Sequence, residues 1–119
     1  MSSPHRIHHD LYRGPKEIVD PGNAGQVRVS KDLQICELVT TGAETRTLAT
    51  PTKAGIRFLL RMKTDGGDAV VTAAGTLNVA GNTVATFADV GDQLDLISVA
   101  ASSGYRWDIL VNTGSVGLA

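Results

Sequence analysis

The stretch Ile56-Arg57-Phe58-Leu59-Leu60-Arg61-Met62-Lys63 decides the fold. Side chains of a β-strand point alternately to opposite faces, so Ile56, Phe58, Leu60 and Met62 share one side while Arg57, Leu59, Arg61 and Lys63 share the other. The first set reads as core and the second as a basic stripe on an outer surface. Thr64-Asp65-Gly66-Gly67 follows as a hairpin-type turn, with glycine supplying the positive φ such turns need.

Working outward, the same period of two marks strands at Gln26–Ser30, Leu33–Thr41 and Glu44–Ala49 on the N-terminal side. On the C-terminal side it marks Ala69–Ala73, Thr76–Val79, Thr83–Ala88, Gln93–Ala100, Tyr105–Val111 and Ser115–Leu118. Corners of Gly, Asn and Asp separate these runs at intervals of about 8–12 residues, the rhythm of a sandwich or small barrel. No stretch reads as a helix, and 13 glycines would weaken one. The expectation is an all-β chain: a single small β-sandwich or β-barrel-like (β-tulip-like) domain over residues 25–119. An extended N-terminal arm, residues 1–24, precedes it. Pro4, Pro15 and Pro21 break any regular element there, and Pro21-Gly22-Asn23 is a turn signal. A chain begun at Gly25 is therefore expected to fold alone.

The 119 residues suit one domain, and a chain of this length buries roughly two thirds of its unfolded surface. Cys36, the single cysteine, has no partner within the chain for a disulfide. No apolar run approaches the ~20 residues of a membrane span and the N-terminus has no secretory h-region, so neither a membrane nor export is expected. The formal charge of −1 conceals an asymmetry. Residues 1–64 hold ten Lys or Arg against six acids, a net of +4, and residues 65–119 hold Arg106 against six aspartates, a net of −5. Opposed charge of this kind favours oriented packing against a protein neighbour. Nucleic-acid binding is not expected, because the aromatics are only Tyr12, Phe58, Phe87, Tyr105 and Trp107.

Catalytic and metal chemistry find little support. His5, His8 and His9 stand beside Asp10 on the arm, but zinc needs ligands converging from a fixed frame, and the chain has no further histidine. Asp65, Asp68, Asp89, Asp92 and Asp95 do not follow the calcium-loop spacing, and Asp and Gly are the ordinary residues of tight turns. Cys36 has no histidine near it to act as a base, so it reads as a buried inert thiol. Trp107 reads as core or interface packing. No enzyme activity, cofactor or metal is expected.

The runs GNTVATFADVGDQLDLISV (residues 81–99) and GYRWDILVNTGSVGLA (residues 104–119) resemble segments of small β-rich virion proteins of tailed bacteriophages, head decoration (cement) proteins among them. Thr86-Phe87, Gly91-Asp92, Leu94, Leu96, Trp107 and Asn112 to Gly114 carry the resemblance, which spans about residues 55–118. It implies a capsid decoration protein made in the host cytoplasm and placed on the capsid exterior. Its implied partners are the major capsid protein and copies of itself, most simply as a homotrimer. Ile7, Leu11, Tyr12 and Ile18 of the arm would then enter pockets on the shell. Arg57, Arg61 and Lys63 of one copy would meet Asp89, Asp92 and Asp95 of the next, head to tail around a ring. A tail or head-fibre domain touching the host is the alternative, and a small carbohydrate-binding module a further one.

Overall fold

The computed structural model describes residues 16–119. Ten strands are joined by turns and loops: β1 (Glu17–Ile18), β2 (Gly25–Val27), β3 (Gln34–Val39), β4 (Glu44–Leu48), β5 (Arg57–Thr64), β6 (Ala69–Ala73), β7 (Val84–Phe87), β8 (Gln93–Ala100), β9 (Tyr105–Thr113) and β10 (Gly117–Leu118). They form two five-stranded sheets packed face to face, β1-β3-β5-β8-β9 (sheet A) and β10-β7-β6-β4-β2 (sheet B). The all-β sandwich read from the sequence is therefore the fold. Inward-pointing Cys36, Leu38, Phe58, Leu60, Met62, Leu94, Leu96 and Trp107 of sheet A meet Val27, Leu48, Val71, Ala85 and Phe87 of sheet B in one core. All four inward residues foreseen on Ile56–Lys63 are buried.

The connections differ from the expected hairpins. Strands β1 to β6 alternate between the sheets, and within each sheet they run parallel: β1 with β3 with β5, and β2 with β4 with β6. Parallel neighbours need a long crossover, and here each crossover is a strand of the opposite sheet. The chain thus winds as a two-sided coil before β7 to β10 close both sheets in antiparallel fashion. Thr64–Gly67 is accordingly not a hairpin turn but part of the corner that carries the chain from sheet A to sheet B.

Corners of successive windings stack on one another. Thr40 Oγ1 donates to Gly67 O at 2.7 Å and accepts from Gly66 N at 3.0 Å, while Glu44 N donates to Asp68 O at 3.0 Å. A Cβ on Gly66 would overlap Thr40 O and stand 2.7 Å from Thr41 Cα, so the close approach of backbones requires glycine there.

Two further differences concern boundaries. Thr76–Val79 is a loop rather than a strand, tied by Asn82 N donating to Asn78 Oδ1 at 3.0 Å, with Leu77 buried beneath it. Residues 16–24 are the first winding of the coil: Ile35 N donates to Lys16 O at 2.8 Å, Ile18 packs on the core, and Thr45 N donates to Asn23 Oδ1 at 3.0 Å. A boundary at Gly25 falls inside the sandwich.

That winding is locked by Arg46. Alternation along β4 puts Arg46 on the same inward side as Leu48, and its side chain has 0% exposure. Nε donates to Asp20 Oδ1 at 2.6 Å, Nη2 donates to Asp20 Oδ2 at 2.8 Å and to Val39 O at 3.1 Å, and Glu44 Oε1 forms an ion pair with Nη2 at 2.9 Å. Asp20 Oδ2 also accepts from Val39 N at 2.9 Å, completing the β3 edge where β1 ends. Burial works to raise the Asp20 pKa, but the Arg46 guanidinium and the Val39 and Gly22 amides hold it below the usual carboxylate value. The Thr41 backbone N–H, aided by Arg46 and the Thr41 hydroxyl, likewise lowers Glu44.

Removing one partner of a buried pair costs about 3–5 kcal/mol, so Asp20→Ala is expected to lose about 3 kcal/mol by urea unfolding at neutral pH, Asp20 being partly exposed. Because the folded pKa of Asp20 lies below its ordinary 3.8, this stabilisation is complete above that value and is lost as pH falls through the folded pKa. Wild type and variant should therefore begin to converge in stability as pH falls below 3.8 and meet only once it has passed through the lower folded pKa; a gap that persists undiminished would assign the loss to packing. Gly66→Ala should cost about 2 kcal/mol in the same assay, and a neutral result would mean that the stacked corners yield.

Candidate functional site: the outer face of sheet A

Of the residues foreseen at an interface, Arg57, Arg61 and Lys63 all lie exposed on the outward side of β5. The antiparallel register brings Asp95 of β8 directly beside Leu59, diagonal to both Arg57 and Arg61. The basic and acidic groups thus share one face instead of marking opposite ends of the domain. On one side β3 places Ile35 beside Leu59 and Glu37 beside Arg61; on the other β9 places Val111 beside Asp95 and Asp108 beside Ile97. A transverse row Ile35–Leu59–Asp95–Val111 results, with Arg57 and Ile97 in the row below and Arg61 and Gln93 in the row above.

Among the described residues the ion pairs within 4 Å are all made by Arg46. Arg57 and Arg61 make none with Asp95. Gln93 Nε2 donates to Asp95 Oδ1 at 2.7 Å, orienting the carboxylate and leaving Oδ2 for another donor. Leu59, Ile35, Ile97 and Val99 are half-buried by neighbouring side chains, and Val111 at the β9 side is 50% exposed. Aliphatic surface carrying charges of both signs can dock a protein surface whose charges are complementary.

The other acidic residues go elsewhere. Asp92 is 5% exposed, and its Oδ2 accepts from Ala88 N and Asp89 N, both at 3.1 Å, so it holds the corner into β8 and does not face a neighbour. Asp89 is exposed in that corner, off the sheet face. Asp65 Oδ1 accepts from Gly67 N at 3.1 Å, the turn duty expected of it. Ile18 packs on the core of its own chain rather than standing free on an arm. Ile7, Leu11 and Tyr12, with His5, His8, His9 and Asp10, lie outside the described residues. Trp107 is core: it is buried, its indole N–H donates to Ala49 O at 3.1 Å, and its ring tilts against Phe58 at 5.9 Å. The sequence reading missed Arg46, whose inward position was available from its alternation with Leu48.

A scan against protein-family models gives no match, and neither does a search of curated proteins.

Cys36 sits inward on β3, wholly buried, with Ile18 of β1 as its register neighbour. Burial, with the nearby Asp20 carboxylate adding to it, pushes its thiol up to about 12. Since the thiolate is the reacting form, native protein at pH 8 should resist alkylation until it unfolds. Labelling by a maleimide at the rate of a free thiol would show that the first winding opens readily.

Proposed function

We propose that this chain is a structural protein of a phage head, a capsid decoration protein that works by protein–protein docking. The observation that carries the reading is the outer face of sheet A, where Arg57, Arg61 and Asp95, in no ion pair among the described residues, alternate with half-exposed aliphatic side chains. That face meets a protein neighbour on the shell. Residues 1–15 precede β1 at the edge of the same sheet, and their Ile7, Leu11 and Tyr12 supply anchors for the major capsid protein. A strand added to an open sheet edge is one way such a segment binds, through main-chain hydrogen bonds and side-chain pockets. The mechanism is thermodynamic. A protein that binds only the assembled lattice stabilises it by mass action.

Co-sedimentation with heads lacking this protein tests the reading. Full-length chain should pellet with the heads and raise their melting temperature. A chain begun at Lys16 should bind at least ~10-fold more weakly, about 1.4 kcal/mol. Failure of the full-length chain to bind heads, or its location on tails by immunogold labelling, would overturn it.

A further inference from the structure

The docking face has a property that names its occupant: it is complementary to itself. Consider a two-fold axis lying over the sheet, parallel to the strands and between β5 and β8. The rotation sets β5 of one copy over β8 of the other, and β3 over β9. In the row Ile35–Leu59–Asp95–Val111, Ile35 then lies over Val111 of the second copy and Leu59 over its Asp95. Arg57 and Arg61 flank Leu59 on the same side of β5, so each Asp95 enters between the two guanidinium groups of the other copy. Glu37 falls over Thr113, and Asp108 falls over Leu33 just before β3, where the adjacent Asp32 is the nearest like charge. A head-to-tail contact between these groups would instead need the two signs on different faces, and they are on one.

We propose that the outer face of sheet A is the contact between two copies of this chain, packed sheet on sheet about a two-fold axis. The proposal rests on the reading that this face docks protein, and it stands apart from the identity of the shell. Isologous contacts of this kind place the same patch on both partners. Aligned sheets pack about 10 Å apart and within about 30° of each other, close enough for Arg57 and Arg61 to reach the facing Asp95.

Size sets the strength. The four strands that overlap, β3, β5, β8 and β9, about 4.8 Å apart and each presenting about seven residues at about 3.3 Å, offer on the order of 440 Å² per copy. The roughly 900 Å² total lies below the standard size for specific interfaces, where association is weak and transient. Free protein should therefore pair only at micromolar concentration or above, while copies held on a common surface pair at a much higher effective concentration.

Charge exchange tests the geometry. Sedimentation equilibrium of wild type from about 10 μM to about 1 mM should fit monomer and dimer, within the range expected for a small interface. The double variant Arg57→Glu, Arg61→Glu should dimerise at least ~10-fold more weakly, since its acids face Asp95, and Asp95→Arg should be weakened equally, since its base faces Arg57 and Arg61. Mixed in equal amounts, the two variants should recover the dimer, because both sets of contacts in the mixed pair are attractive. Both changes are on the outer face, and matching thermal melts would confirm that each variant folds. Wild type that stays monomeric at the highest concentration, a trimeric mass, or a mixture no stronger than either variant would overturn the proposal. Head binding measured on the same proteins separates this outcome from failure of the decoration reading.

Discussion

A guanidinium buried between two β-sheets holds this domain in its winding. Arg46 occupies a position that alternation assigns to the core, and the apolar residue expected there is replaced by a charge. The charge is tolerable because Asp20 chelates it through Nε and Nη2, with Val39 O and Glu44 taking further bonds. Only Nη1 lacks an acceptor among the described residues. Each buried ion costs several kcal/mol of desolvation, and a partner lost would leave that cost uncompensated. Asp20 reaches Arg46 only when residues 16–24 wind as the first turn of the coil. The same carboxylate accepts Val39 N, so a single side chain neutralises the buried cation, closes the β3 edge and joins sheet B to sheet A.

Much else follows from that winding. Once the first turn is set, parallel pairing carries β1 to β3 to β5 and β2 to β4 to β6, and the corners stack with glycine where backbones touch. The last four strands then complete the sheets. Because β8 runs antiparallel against β5, an acidic strand lies beside a basic one on the outer face, with Asp95 set between Arg57 and Arg61. The surface that an assembly partner would meet is a product of the topology as much as of the residues.

Apart from β1 and the loop at Thr76–Val79, the strands themselves were legible. Ile56–Lys63 announced its inner and outer faces, and Trp107 and Cys36 were readable as packed residues. The topology was not, for a physical reason. A period of two is the same in parallel and antiparallel strands, and Asp-Gly corners serve a sheet crossing as well as a hairpin. The windings are also of unequal length, as the registers Ile18–Cys36–Leu60 and Gly25–Arg46–Val71 show, so no fixed repeat appears. The first winding was hidden by its own sequence. Pro21-Gly22-Asn23 reads as tail when Asp20 is not yet known to have a buried partner. Arg46 could have been found by asking what acid answers an arginine two residues before a core leucine. The shared face of Arg57, Arg61 and Asp95 needed the β5–β8 register, which no local pattern encodes.

Native-state hydrogen exchange read residue by residue tests most directly whether the Asp20–Arg46 lock makes the first winding part of one cooperative unit. Amides joined to it, Val39, Thr45 and Ile35, should exchange with the same opening free energy as core amides such as Leu60 and Leu94, and all should rise and fall together with denaturant. Rapid exchange of Val39, Thr45 and Ile35 through a local opening, with Leu60 and Leu94 still protected, would contradict the account.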